Sequence, residues 1–309
     1  MQVYLPIAEI PVNVLMVLFL GLTAGFLAGM FGIGGGFIAT PLLMFIGIPP
    51  AIAVSTSTNQ IISASISGLL AHLRKSAVDI KMGLFLVAGG FVGSSFGISI
   101  FKILQKTGNI DVVIPIVYVI FLGSISYTML RDSIKNLLET RYGITWKTKQ
   151  NTRLQRLLQK IEKLPCQVYF PKSDIKVSAF VPLVISAFIG VLVALMGVGG
   201  GFLMIPAMIY ILRMPSNVVV GTSLFQIVFI ASNATFLQAV SNNSVDIVLS
   251  VLMIISSAIG AQIGTRAGYK VDADSMRLVL ALMLFAVCIK MFFVLFAKPQ
   301  SLYIIEMIK

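Results

Sequence analysis

Charge is scarce in this chain: 11% of its 309 residues are Asp, Glu, Lys or Arg, against 58% hydrophobic, and the mean hydropathy is +0.99. A soluble fold of this size needs more polar surface than that, and the charges are clustered rather than spread. Soluble enzymes and nucleic-acid-binding domains are therefore excluded, and the composition places the chain in a bilayer. Acidic residues are the scarcer sign, 11 against 23 Lys and Arg, for a net charge of +12. The positive-inside rule accounts for that excess, because cytoplasmic loops collect basic residues and meet anionic lipid headgroups there; no nucleic-acid partner is implied. One His and two Cys, Cys166 and Cys288, give neither a disulfide framework nor a protein-built zinc site, and no cofactor is called for. The first residues, MQVYLPIAEIPVN, lack a basic n-region and a small-residue cleavage signature, so the apolar run after them reads as a retained first helix.

Apolar stretches run at about 12–31, 34–48, 51–72, 82–104, 111–130, 177–197, 200–213, 217–240, 246–268 and 276–297, five on each side of a polar interval. Those near twenty residues are long enough to span a hydrocarbon core of about 30 Å. The second and seventh are too short. Each starts in a glycine cluster and reads as a tilted span, a half-helix or one arm of a re-entrant hairpin. The interval 131–176 carries Arg131, Lys135, Arg141, Lys147, Lys149, Arg153, Arg156, Lys160, Lys163, Lys172 and Lys176 against four acidic residues, and it is placed in the cytoplasm, against anionic lipid. Within it, TRLQRLLQKIEKL puts Leu154, Leu157, Leu158, Ile161 and Leu164 on one helical face, as in a surface-lying amphipathic helix. A plain solvated connector is the alternative.

The chain repeats itself. FGIGGGFIATP at 31–41 returns as MGVGGGFLMIP at 196–206, AVSTSTNQII at 53–62 as VVGTSLFQIV at 219–228, and VDI at 78–80 as VDI at 245–247. The expected architecture is an all-α polytopic membrane protein: a first membrane repeat over 1–130, a basic cytoplasmic loop over 131–176 and a second membrane repeat over 177–309. Five segments per repeat force the second copy to cross in the opposite sense. The charges agree: Arg74, Lys75 and Lys81 have no basic counterpart in QAVSNNSVDIV, whereas Lys102 and Lys106 are matched by Arg266, Lys270 and Arg277. Both termini are then expected outside. Inverted repeats with helices interrupted at matching positions belong to alternating-access transporters, which hold substrate near the midplane.

In each GxGGG motif the adjacent glycines, Gly34, Gly35 and Gly36 and again Gly199, Gly200 and Gly201, break the helix and free backbone N–H groups. A short helix then starts, with Pro41 or Pro206 in its second turn. Free amides at a helix N-terminus form an anion site with no formal charge to bury in lipid; close helix crossing is the other use of such glycines. No Lys-Ser/Thr follows, so a nucleotide loop is excluded. The next segment carries Thr56, Gln60, Ser63 and Ser67 on one helical face with Asn59 beside them; Thr222, Gln226, Phe229 and Asn233 are their counterparts, with Ser223 next to Thr222. Thr56, Asn59, Gln60, Thr222, Ser223, Gln226 and the six motif glycines are the candidate substrate residues. Hydroxyl and amide donors without net charge suit a small oxyanion that must also be released, and interhelical glue is the competing use. Gly89, Gly93 and Gly97, with Gly260, Gly264 and Gly268, read as packing surfaces.

The doubled G-x-G-G-G-F-x-x-x-P segment, Gly32 to Pro41 and Gly197 to Pro206, resembles the TauE/SafE family of sulfite-exporter-like membrane proteins over nearly the whole chain outside 131–176. The resemblance implies transport of a small sulfur-containing anion such as sulfite, sulfoacetate or a related organosulfonate across the bacterial inner membrane. The basic central loop departs from the pattern. A passive anion channel is the alternative, and a non-transporting membrane scaffold a more distant one; a homo-oligomer is compatible with the sequence. No enzyme is expected, since H-E-x-x-H, G-x-S-x-G and paired intramembrane carboxylates are all missing.

Overall fold

The computed structural model describes residues 2–142, 165–268 and 273–296. The stretch 152–164, read above as an amphipathic helix, lies outside the described residues. Ten helices are found among them: α1 Val14–Phe31, α2 Gly36–Phe45, α3 Pro50–Arg74, α4 Ile80–Lys106, α5 Ile110–Tyr142, α6 Phe180–Met196, α7 Gly201–Tyr210, α8 Ser216–Asn242, α9 Ile247–Gly268 and α10 Ala273–Phe296. The protein is an all-α polytopic membrane protein. Five stretches, Val14–Phe31, Ile80–Lys106, Ile110–Arg131, Asn217–Asn242 and Ile247–Gly268, are long and apolar enough to cross a bilayer unaided. α3 has the length, at 25 residues, but Ser, Thr, Asn and Gln dilute its apolar character. The ten-residue helices α2 and α7 rise only about 15 Å each, half a hydrocarbon core.

A short antiparallel hairpin precedes each half, and the sequence reading missed both. β1 Gln2–Leu5 pairs with β2 Ile10–Asn13, and β3 Gln167–Phe170 with β4 Ile175–Ser178. They are copies of one unit, QVYLP against QVYFP, down to a turn residue at positive φ in each, Glu9 at 54° and Asp174 at 51°. The duplication thus begins at Gln2 and Gln167, and the second copy's hairpin starts inside the 131–176 interval and runs two residues past it, to Ser178. α5 likewise runs past 130 to Tyr142.

The two halves are interleaved rather than set side by side. α1 packs along α9, α4 along α6, α5 along α10 and α3 along α8, every pair joining one repeat to the other. Small residues explain the closeness of the first two. A Cβ at Gly260 or Gly264 would collide with the carbonyls of Leu22 or Phe26 in α1, and one at Gly89 or Gly93 with those of Leu183 or Ala187 in α6. Gly21, Gly25 and Gly29 meet Ser256, Ser257 and Ala261 in rising order, so α1 and α9 run in the same direction. Such backbone-to-backbone approach is how helices associate where lipid removes the hydrophobic drive. By contrast, Ile61 clusters with Ile227 while Gly68, farther along α3, meets Leu224, earlier in α8. These equivalent helices therefore run in opposite senses.

Candidate functional site

α1 ends at Gly32, whose N–H caps Ala28 O at 2.8 Å in left-handed conformation, and α6 ends the same way at Gly197 on Val193 O, also at 2.8 Å. The chain then turns through Gly34 and Gly35, at φ 89° and 74°, or Gly199 and Gly200, at 78° and 73°, before α2 or α7 begins. A side chain at these angles would be strained, which is why both positions of each turn need glycine. Gly35 and Gly200 occupy the N-cap positions without a side chain to cap the first turn. Gly35 O and Gly200 O accept from the amides three and four residues on. The earlier amides, on Gly34, Gly35, Gly36 and Phe37 and on Gly199, Gly200, Gly201 and Phe202, have no acceptor among the described residues.

The two turns cross one another in antiparallel fashion between α3 and α8. A Cβ at Gly36 would strike Gly197 O, and one at Gly201 would lie 2.6 Å from Ile33 O. Gly34 and Gly199 share their neighbours: a Cβ on either would stand 3.6 Å from Ile227 Cγ2 and within 3.2 Å or 2.9 Å of Ile61 Cγ2. The motif glycines are thus brought together, with Ile61 and Ile227, both fully buried, at the crossing. The N-termini of α2 and α7 approach it from opposite sides, so two positive dipole ends converge there. The negative end of α6 is answered by side chains. Tyr118 OH donates to Met196 O, Thr40 Oγ1 to Gly197 O at 3.4 Å and Gln238 Nε2 to Ala194 O at 3.1 Å.

The polar stripe of α3 divides. Thr56 and Gln60 are fully buried, and Thr56 Oγ1 and both amide atoms of Gln60 have no hydrogen-bond partner. Gln226 Oε1 is likewise unpartnered, as is the hydroxyl of fully buried Ser65, which lies 3.6 Å from where a Cβ on Gly34 would be. Sequence reasoning missed Ser65, although it sits one turn beyond Ile61 on the face that meets the crossing. Buried polar atoms are nearly always bonded, so these orphans are exceptional, and Ser65 is the one that lies directly against a glycine turn. The remaining stripe residues do other things. Ser63 Oγ donates to Ile254 O at 3.1 Å, and Asn233 Nδ2 to Ser94 Oγ at 2.8 Å, both joining helices. Asn59, Ser63 and Ser67 line a cleft of ≈ 450 Å³ between α3 and α9, away from the buried pair. Thr222 is occupied: its hydroxyl donates to Val218 O at 2.7 Å and accepts from Asp79 N at 2.9 Å. Ser223 bonds back to Val220 O. Among the described residues no cluster of His, Cys, Asp or Glu is arranged to hold a metal.

The family model for "Sulfite exporter TauE/SafE" matches residues 17–291, a stretch that contains both glycine turns and every residue around them. The chain belongs to the TauE/SafE family. Its relatives include the probable membrane transporter protein YunE of Bacillus subtilis, 26% identical over 86% of this chain and 92% of that protein. YjnA of the same organism is 25% identical over 86% and 94%. Sulfite exporter TauE/SafE family protein 1 of Arabidopsis thaliana is 30% identical over a shorter region, 33% of this chain and 23% of that one. No solved structure matches the chain. Membership in a family of membrane transporters, together with the helical architecture, makes this an integral multi-pass membrane protein of transport and not an enzyme. Lys290, the one charge well inside a helix of the second half, lies 4.2 Å from the Phe45 ring at the end of α2; it is a surface cation over an aromatic and not part of the crossing.

Proposed function

We propose that the protein is a secondary transporter, working as an exporter, of a small anion such as sulfite, an organosulfonate or another sulfur-containing oxyanion. The substrate sits at the crossing of the glycine turns, between two inverted repeats that alternate access to it. The single observation that carries this reading is the crossing of two glycine turns with free amides, at which Ser65 Oγ is buried and unpartnered and whose flanking helices α3 and α8 bury further unpartnered atoms on Thr56, Gln60 and Gln226. An anion there receives hydroxyl, amide and backbone donors in place of its hydration shell, with two helix dipoles adding to them, and among the described residues no buried cation holds it too tightly to leave. Binding of a panel of small oxyanions to the purified protein tests it. Failure of every member to bind sinks the proposal.

Arg74, Lys75, Lys81 and Arg213 support an orientation with that end of the bundle in the cytoplasm of a bacterial inner membrane and both termini outside. Cys166 is exposed at this end, so an impermeant thiol reagent is expected to leave it unlabelled in intact cells and to label it in inverted vesicles. Labelling in intact cells would reverse the orientation.

For energy, an exported anion can run down the membrane potential, worth about 2.3 kcal/mol per charge per 100 mV. The buried carboxylates nearest the site, Asp79 and Asp246, are committed to capping α4 and α9 through Met82 N and Leu249 N. Flux in proteoliposomes is therefore expected to follow the potential and to be unchanged when sodium is replaced by potassium or choline at fixed potential. A strict sodium requirement would contradict this.

A further inference from the structure

At the basic end of the bundle the loop before α4 meets the start of α8. Asp79 is buried there. Its Oδ1 accepts from Met82 N at 3.0 Å and its Oδ2 from Ser173 Oγ, in the β3–β4 turn, at 2.6 Å. Its own N–H donates to Thr222 Oγ1 at 2.9 Å. The duplication sets up the same device at the opposite end, where buried Asp246 accepts from Leu249 N at 3.1 Å and from Ile7 N, in the β1–β2 turn, at 3.0 Å. The third bond is not made at that end. Thr56, the counterpart of Thr222, has an unpartnered hydroxyl, and the Asp246 N–H has no acceptor among the described residues.

Two differences between the repeats account for this. Gly221 precedes Thr222, and a Cβ on it would collide with Ala77 O, so the α8 backbone lies directly on the 77–79 segment. The equivalent positions are Ser55 and Ser244. Their hydroxyls bond each other at 2.7 Å and occupy the space that such an approach needs. The asymmetry is thus written in the sequence, Gly and Ala at one end and Ser and Ser at the other.

We infer that the two ends of the anion site are gated unequally, with Asp79 as the positioning residue that draws Thr222 out of the site and latches the β3–β4 end shut, while the Ser55–Ser244 pair keeps Thr56 off Asp246 and leaves its hydroxyl for the ligand. This rests on the anion site proposed above and assigns its hydroxyl donor to Thr56 rather than to Thr222. Opening the β3–β4 end requires the Asp79–Thr222 bond to break, together with the Ser173 bond that ties down the hairpin. Opening the other end breaks no equivalent of the first.

Hydrogen exchange on the full chain in lipid nanodiscs, without ligand, tests the latch. The Asp79 amide should exchange at least about tenfold more slowly than the Asp246 amide, because exchange there requires the latch to open. Gly221→Ser should raise the Asp79 rate to that of Asp246, and the pair Ser55→Gly with Ser244→Ala should slow Asp246. If Gly221→Ser does not fold, Thr222→Val removes the acceptor at nearly constant shape and should accelerate Asp79 equally. Equal rates at Asp79 and Asp246 in the parent, or an Asp79 rate that neither variant changes, overturns the latch. Added sulfite forms a separate arm: no new protection over 56–65 would count against the anion reading and leave the comparison of the two aspartates intact.

Discussion

Gly197→Ala is expected to lower the melting temperature at least twice as far as Gly108→Ala does. The two glycines have similar backbone angles, φ 65° and 71°, so each alanine pays the left-handed penalty of about 1–2 kcal/mol. Their surroundings differ. A Cβ on Gly108 meets nothing within 4 Å, while one on Gly197 stands 2.5 Å from Val54 O in α3, a backbone atom that cannot swing aside. Parting α6 from α3 there disturbs the crossing itself, since Gly197 O also faces Gly36. Overpacking of this kind adds roughly 1–3 kcal/mol, and the sum is a large share of a typical stability of about 5–15 kcal/mol. Thermal melting of the two detergent-purified variants makes the comparison. Equal losses would mean that the crossing is not as tight as described.

Gln60→Leu should make the protein more stable and worse at its task. Both amide atoms of Gln60 are buried without partners, a state that costs about 1–3 kcal/mol and that an apolar side chain of similar size relieves. The melting temperature of the ligand-free protein should rise. Affinity for the best-bound oxyanion should fall by about 1–3 kcal/mol, roughly 5–150-fold, the usual loss when a hydrogen bond to charge is not made. Gln226→Leu should weaken binding similarly. Opposite movement of stability and binding is what separates a ligand group from packing glue. A variant that melts lower and binds as well as the parent would return Gln60 to a structural role.

Much of this arrangement was legible in the sequence because it depends on local rules. Three adjacent glycines cannot continue a helix, so the interruptions at Gly34–Gly36 and Gly199–Gly201 were readable, as were the half-length helices after them. The orphaned Gln60 and Gln226 were found from their equivalence across the repeat. What was not legible depends on which neighbour a face meets. Helical spacing put Thr56, Gln60, Ser63 and Ser67 on one stripe, but the neighbouring α9 takes Ser63 for itself and leaves Ser67 in a cleft. The hairpins were invisible because four-residue strands with a Pro in β2 carry too little alternation to register. Thr222 looked like a twin of Thr56. Only the close approach at Gly221 shows that it is bonded to Asp79 instead.

The most direct measurement of the central claim is to locate a bound oxyanion. Selenite, a heavier analogue of sulfite, can be placed by anomalous scattering from crystals of the full chain grown with it. The account predicts one selenium peak at the crossing, within hydrogen-bonding reach of amides from the Gly34–Gly36 or Gly199–Gly201 turn and of Gln60 or Gln226. A fully occupied peak elsewhere, with the crossing still closed over Ile61 and Ile227, would contradict it.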